Sequence, residues 1–113
     1  MKIDYYSFGR ITIDGKDYSS DVIIYPDRVD SSWWRKEGHR LDIEDLKDIL
    51  ESKSEVLIVG TGAYGTMVVP GETEEFLKRK GIKLIALMTK DATETFNKLS
   101  GSGKVIAALH LTC

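Results

Sequence analysis

The length, composition and charge of this chain already exclude several classes of protein. Its 113 residues, 42% hydrophobic and 30% charged, suffice for one globular domain, spanning residues 1–113, and argue against disorder. With 16 basic and 18 acidic residues the net charge is −2, so no overall field favours nucleic acid or an anionic membrane.

The first third of the sequence predicts antiparallel β-structure. The β-branched residues 10–13 lead into Asp14-Gly15, the strongest two-residue hairpin signal. The return strand is predicted over residues 18–25, with a bend or bulge at residues 19–21. It ends at Pro26, which cannot donate to a strand ladder.

From Leu41 onward, helical apolar spacing alternates with buried strands. We predict helices at about residues 41–50, 73–80 and 92–99, with Asp42 and Asp91 as caps of the first and third. Strands are predicted at 56–59, 82–88 and 105–111, and a loop at 100–103. Three apolar strands separated by helices imply right-handed crossovers and a mainly parallel sheet, with the N-terminal hairpin covering part of one face.

The strand at residues 56–59 ends in a glycine loop. Gly60, Gly62 and Gly65 have the G-x-G-x-x-G spacing of loops whose backbone N–H groups hold phosphate, and Thr61 lies between the first two. In a dinucleotide fold the third glycine opens a helix, whereas residues 66–71 are β-branched and end in Pro-Gly. We favour a tight turn that needs positive φ, and keep an anion or carbonyl held by the loop amides as the functional alternative.

The second candidate site is the segment of residues 33–40. Trp33 and Trp34 are neighbours on an extended segment and face opposite sides, so one can enter the core while the other faces a cleft, a partner or water. Arg35 offers a fixed cation, and His39 a group that titrates near neutrality. The structural alternative is that Arg35 ties a loop to a carboxylate and that His39 lies at the entry to the first helix.

Metal binding and covalent catalysis find no support in the sequence. His39, His110 and Cys113 are too few and too dispersed for a zinc site, and His110 is expected to be a satisfied, half-buried residue. There is no G-x-S-x-G elbow around a nucleophile. We assign no catalytic residue and no metal ligand, and we expect no cofactor.

Membrane and redox signals point to an ordinary cytoplasmic protein. The longest apolar runs, at residues 84–88 and 105–109, are far too short to cross a bilayer. The N-terminus has neither an apolar signal core nor an arginine-rich leader, and the single cysteine excludes an intramolecular disulfide framework. We expect no membrane and no nucleic-acid partner, and a monomer or weak homo-oligomer.

Two ordered series of motifs carry a family resemblance over nearly the whole chain. The first is Phe8-Gly9-x-Ile11-x-Ile13-Asp14-Gly15, Tyr18-x-x-Asp21-Val22 and Trp34-Arg35-x-x-Gly38-His39-x-Leu41. The second is Gly60-Thr61-Gly62, Thr89-x-x-Ala92, Phe96-Asn97 and Ala108-Leu109-His110-Leu111-Thr112-Cys113. Together they resemble the Mth nine-three-eight domain family, which includes an adipogenesis-associated human protein and a mitochondrial factor that assists assembly of respiratory complex I.

The resemblance implies a fold and a type of role, and no known reaction. It implies a three-layer α/β fold with a mixed central sheet and an added N-terminal β-layer. The better-studied relatives act as assembly or regulatory proteins, and the length and the initial Met suggest a free-standing archaeal or bacterial member. Since no targeting leader is expected at this N-terminus, we do not expect the complex I role to carry over.

We therefore predict a binding or assembly module with an unidentified protein partner and no demonstrated catalysis. The alternative is a protein or enzyme that binds an anion or carboxylate in a cleft between the glycine loop and segment 33–40. That cleft would be formed by Trp33, Trp34, Arg35, His39, Gly60, Thr61, Gly62 and Gly65. A module needs an exposed apolar patch, whereas an enzyme needs polar groups converging in a closed pocket.

Overall fold

Two β-sheets and three α-helices form in the part of the chain that the computed structural model describes, residues 1–102 and 104–113. The smaller sheet is antiparallel, in the order β1 (Ile3–Ser7), β2 (Arg10–Ile13) and β3 (Lys16–Tyr18). The turn between β2 and β3 confirms the predicted hairpin. Asp14 and Gly15 have φ values of 49° and 80°, the two positive angles of a mirror-image turn that follows the twist of its strands.

The central sheet is mixed and has five strands in the order β5-β4-β8-β6-β7. Its strands are β4 (Val22–Ile24), β5 (Val29–Asp30), β6 (Val56–Thr61), β7 (Lys83–Leu87) and β8 (Val105–His110). β6 is parallel to β7 and β8, whereas β4 is antiparallel to β5 and β8. The connecting helices are α1 (Lys47–Glu51), preceded by a 3₁₀ helix at Ile43–Leu46, α2 (Gly71–Arg79) and α3 (Thr89–Leu99).

Both faces of the central sheet are buried, which explains why its strands read as continuous apolar runs. Along β6, Leu57 and Val59 pack on one face with Ile49 of α1 and Leu77 of α2. Ile58 packs on the other face, in the cluster formed with α3 and the antiparallel sheet. The structure therefore confirms the three-layer fold with an N-terminal β-layer.

The predicted return strand at residues 18–25 is wrong in one respect: it is two strands in different sheets. β3 ends at Tyr18 and β4 begins at Val22. At this crossing between the sheets the Asp21 carboxylate bonds to the end of β8, through the Leu111 N–H and Nδ1 of His110. Two strands, β1 and β5, also escaped prediction, because neither has a strong local signal in the sequence.

The third helix begins three residues earlier than predicted, so Asp91 lies inside its first turn and does not cap it. Contacts distant in sequence replace the cap. The Thr89 N–H donates to the Gly62 carbonyl oxygen at 3.1 Å, and the Thr89 hydroxyl donates to the His110 carbonyl oxygen at 2.6 Å. The predicted loop at 100–103 is a short 3₁₀ helix at Ser100–Ser102, and Gly103 lies outside the described residues.

Replacement of Gly62 by Val should destabilise the domain strongly. Gly62 has a φ of 109°, and a Cβ placed there would lie 2.3 Å from the carbonyl carbon and oxygen of Cys113. The matched control is Gly81→Val, because Gly81 has a φ of 75° but no atom within 4 Å of the added Cβ. Backbone strain of about 1–3 kcal/mol is common to both variants.

Urea unfolding curves of both variants measure the difference. The Gly62 variant should lose more stability than the Gly81 variant, because only its added Cβ clashes with Cys113. Equal losses of stability at the two positions would mean that the clash with Cys113 has no effect.

Candidate functional site

The first three residues of segment 33–40 alternate between the core and the surface, and residues 36–40 are exposed. Trp33 and Arg35 are each 8% exposed, whereas Trp34 between them is 76% exposed. The backbone N–H of Trp33 donates to the Asp21 carbonyl oxygen at 3.2 Å, which holds the segment beside the start of β4. The two neighbouring indoles therefore face opposite sides, as an extended backbone predicts.

The Asp21 carboxylate collects three donors directly before β4. Oδ2 lies 2.9 Å from Nη2 of Arg35 and 2.8 Å from Nδ1 of His110. Oδ1 accepts the Leu111 N–H at 2.7 Å. Nη2 and Nδ1 are 3.1 Å apart. Because the same carboxylate oxygen accepts from both, Nδ1 carries the imidazole proton, and the two nitrogens are adjacent donors.

These contacts keep Asp21 ionised inside the fold. Burial alone would raise the pKa of this carboxyl, but hydrogen bonds from His110, the Leu111 amide and Arg35 outweigh burial and lower the pKa below its ordinary value. The carboxylate in turn neutralises the buried guanidinium of Arg35. We call Asp21, Arg35 and His110 the Asp21 cluster.

Arg35 makes the contact that the structural alternative predicted, a loop tied to a carboxylate. Its Nε and Nη2 also donate to the Gly38 carbonyl oxygen, at 3.3 Å and 2.8 Å. Its Cζ lies 4.4 Å from the centre of the Trp33 ring, where the guanidinium stacks on the indole. Within the described residues, Nη1 has no hydrogen-bond partner.

His110 differs from its prediction as a satisfied, half-buried residue. It is 5% exposed, and its Nε2 has no partner in the described part of the chain. The ring of His39 lies 5.7 Å from the His110 ring in an edge-to-face arrangement, and His39 itself is exposed. His39 thus lies beside His110 at the surface.

The glycine loop closes on the segment that follows β8. The Ala63 N–H donates to the Thr112 carbonyl oxygen at 2.6 Å, and the Thr66 N–H donates to the Cys113 oxygen at 3.0 Å. The Gly62 N–H is taken up at 2.9 Å by a threonine hydroxyl of α3. These loop amides already have acceptors within the chain.

The glycine loop and segment 33–40 meet at His110. Thr61 pairs with His110 in the register of β6 and β8, while Arg35 and His39 contact the His110 side chain. Gly60 lies against β8, where an added Cβ would come within 2.9 Å of Leu109. Three of the eight candidate residues, Thr61, Arg35 and His39, therefore approach one another at His110. The loop amides and Arg35 have separate partners, and a cleft shared by the loop and the segment stays a prediction.

The two tryptophans line a surface groove of about 570 Å³ that Arg35, His39 and the glycine loop do not line. Carboxylates outnumber ammonium groups along it. They are Asp30, Glu44, Asp45 and Asp48 against Lys36 and Lys47. We call this feature the Trp34 groove.

Asp21 and His110 were not predicted to belong to a site, although each carries a recognisable signal in the sequence. Asp21 comes directly before the apolar run of β4, and His110 closes an otherwise apolar strand. A polar side chain at the border of a buried strand must find a partner, and this rule singles out both residues. Among the described residues, no three His, Cys, Asp or Glu side chains lie close enough to hold a metal ion.

Fluorescence quenching should separate the two tryptophans. Acrylamide should quench Trp34 efficiently and leave Trp33 largely protected, because their exposed fractions are 76% and 8%. The variants Trp33→Phe and Trp34→Phe isolate each emission for Stern–Volmer measurements. Equal protection of the two indoles would mean that a partner copy covers Trp34, which light scattering would reveal.

Asp21→Asn should change how stability depends on pH. The lowered pKa of Asp21 means that the unfolded chain binds a proton before the folded chain. The stabilisation is therefore complete above about pH 4 and is lost as pH falls through the folded pKa. The free energy of unfolding of the variant should lack this acid-sensitive contribution. At neutral pH it should be lower by about 3–5 kcal/mol, because Arg35 is left without its carboxylate.

Urea unfolding between about pH 3 and pH 7 measures both effects of this substitution. Asp27→Asn, at an exposed carboxylate, is the control and should leave the curve unchanged. An unaltered acid slope in the Asp21 variant would contradict the assignment.

A model of the family described as protein of unknown function (DUF498/DUF598) matches residues 3–110. The conserved hypothetical protein PH1505 from Pyrococcus horikoshii OT3 is 32% identical, over 100% of both chains, with a TM-score of 0.86. The structure named MT938 is 28% identical, over 99% of this chain and 98% of its own, with a TM-score of 0.81. An outer membrane protein from Bartonella henselae is 27% identical, over 98% and 94%, with a TM-score of 0.81.

Within the described residues, no helix combines the length and the apolar character that a membrane crossing requires. The family model extends over nearly the whole chain, and MT938 is among the similar structures. These matches confirm the resemblance drawn from the motifs. The chain belongs to the DUF498/DUF598 family of unknown function, the Mth nine-three-eight domain family.

Proposed function

We propose that this chain is a protein-binding module that docks a positively charged segment of a partner in the Trp34 groove. The observation that carries the proposal is the exposure of Trp34, 76% of whose surface faces solvent at the edge of that groove. A large exposed indole is costly in water, and tryptophan is among the residues that most often dominate binding energy at protein interfaces.

The backbone around Trp34 is fixed before any partner arrives. Trp33 and Arg35 on either side are buried, and the Trp33 N–H is bonded to Asp21. The indole is therefore presented from an anchored segment, and less conformational entropy is lost when a partner binds. Burial of one such central aromatic side chain contributes about 2–4 kcal/mol at a typical interface hot spot.

The charge of the groove supports a cationic partner. Asp45 is already engaged, since its carboxylate accepts the backbone N–H groups of Lys36 and Asp42. Glu44 and Asp48 are exposed and line the same groove, where they can face an incoming Lys or Arg. A cation placed there also gains from the face of the Trp34 ring. Excess negative charge speeds the encounter with a basic segment and disfavours acidic ones.

The anion-binding alternative is weaker for the glycine loop itself. The amides of Gly62, Ala63 and Thr66 donate to acceptors within the chain, so an anion would have to displace them. The family match names no ligand and no reaction. The protein-binding module is thus the function that the surface favours.

A labelled synthetic peptide rich in Lys and Arg tests this proposal by fluorescence anisotropy and by the change in Trp34 emission. Trp34→Ala should weaken binding at least about tenfold, the equivalent of 1.4 kcal/mol. The matched control is Tyr64→Ala, because Tyr64 is 73% exposed but does not line the groove. A second pair compares Glu44→Lys with Glu75→Lys on α2, and only the first should weaken binding.

Two outcomes would overturn the proposal. One is equal affinity of the peptide for wild type and Trp34→Ala, which would indicate nonspecific attraction of a polycation to an acidic protein. The other is loss of binding in Tyr64→Ala alone, which would move the docking surface to the side of the glycine loop.

A further inference from the structure

Three side chains that are linked through Arg35 each carry a buried nitrogen without a hydrogen-bond partner in the described part of the chain. These atoms are Nε1 of Trp33, Nη1 of Arg35 and Nε2 of His110. The guanidinium of Arg35 connects the other two residues, since it stacks on the Trp33 ring and reaches the His110 ring through Nη2. Each side chain is more than nine-tenths buried. A buried polar nitrogen left unpaired costs about 1–3 kcal/mol, so three in one place call for an explanation.

The hydrogen bonds of Asp21 determine what the free nitrogens can bind. Its carboxylate oxygen Oδ2 accepts from Nδ1 of His110 and Nη2 of Arg35. The nitrogen that stays free on each side chain is therefore the other one, Nε2 of His110 and Nη1 of Arg35. In neutral His110 the proton is on Nδ1, and Nε2 is an acceptor. In the imidazolium form Nε2 becomes a second donor beside the Nη1 donor of Arg35.

Charge balance then selects the ligand. With His110 protonated, the Asp21 cluster holds two cations and one carboxylate, an excess of one positive charge in a buried site. Such a charge is stable only when it is paired and hydrogen-bonded. A second carboxylate would supply one negative charge and acceptor oxygens for both free donors.

We infer that the Asp21 cluster is a binding site for a small carboxylate, held between Nη1 of Arg35 and Nε2 of His110 and taken up together with one proton. The ligand is small because the receiving nitrogens are buried. We place its entrance at His39, the exposed residue whose ring lies against the His110 ring. The face of Trp33 beneath the guanidinium forms part of the wall.

This site differs from the cleft expected from sequence and from the Trp34 groove. It uses Arg35 but none of the loop amides, which are bonded within the chain. The titratable and charged groups that face His110 are Asp21, Arg35 and His39. Tyr6 lies close enough to Asp21 for that carboxylate to help raise the phenol pKa, after the larger effect of burial.

Formate is the probe, because it is the smallest carboxylate and carries one observable proton. In wild-type protein labelled with ¹⁵N, formate should shift the His110 Nε2 and Arg35 Nη1 resonances and give a saturating curve. The formate proton should show nuclear Overhauser contacts to the His110 ring. Chloride at equal ionic strength is the control, since salts also act on stability nonspecifically.

Proton uptake gives a second signature. Formate affinity should fall steadily as pH rises, because each bound anion carries one proton with it. Arg35→Lys keeps the charge opposite Asp21 but removes Nη1, and it should abolish the shift at His110. His39→Ala lies outside the binding groups, so it should preserve affinity and accelerate exchange.

The inference fails if formate shifts only the exposed His39, or if chloride reproduces the His110 shift. It fails equally if Arg35→Lys, shown to be folded by its amide spectrum, responds to formate as the wild type does. In each case the free nitrogens would be satisfied by water alone. None of these results bears on Trp34→Ala and its peptide, so the two proposals stand or fall separately.

Discussion

The carboxylate of Asp21 is the constraint on which the rest of the structure depends. It lies where the chain leaves the antiparallel sheet and enters β4, and it bonds the end of β8 through Leu111 and His110. It also neutralises Arg35, the buried cation of segment 33–40. One side chain thereby fixes the crossing between two sheets, the end of the central strand and the segment that presents Trp34.

The packing of the segment after β8 explains the glycine loop, and that segment also occupies the edge of the sheet where ligands usually bind. In open α/β sheets, ligands usually bind outside the carboxyl ends of the parallel strands. Here the segment after β8 occupies that edge, bonded to Ala63 and Thr66, and Gly62 is needed because a Cβ would meet Cys113. The two recognition sites that we propose lie elsewhere, at the Trp34 groove and beside His39.

Local signals predicted most of the fold, and distant contacts account for what they missed. The Asp14-Gly15 turn and the apolar strands express turn chemistry and periodicity, which a single sequence displays. The division of residues 18–25 between two sheets depends on a contact between Asp21 and His110, 89 positions apart. The early start of α3 likewise depends on Thr89 bonding to the ends of β6 and β8. For the site, alternation predicted the opposed tryptophans, but no spacing indicated that Arg35 and His110 share one carboxylate.

Buried and exposed side chains alternate at Trp33, Trp34 and Arg35, so Trp34 is exposed only when both of its neighbours are buried. Successive side chains of an extended segment face opposite sides, so a slip of one residue would bury Trp34 and expose its neighbours. That slip would also take Arg35 away from Asp21 and leave a carboxylate and His110 without their cation, at a cost of several kcal/mol. We therefore expect the buried ion pair to specify register in addition to any contribution it makes to net stability. It selects the one arrangement in which the exposed indole faces the acidic groove.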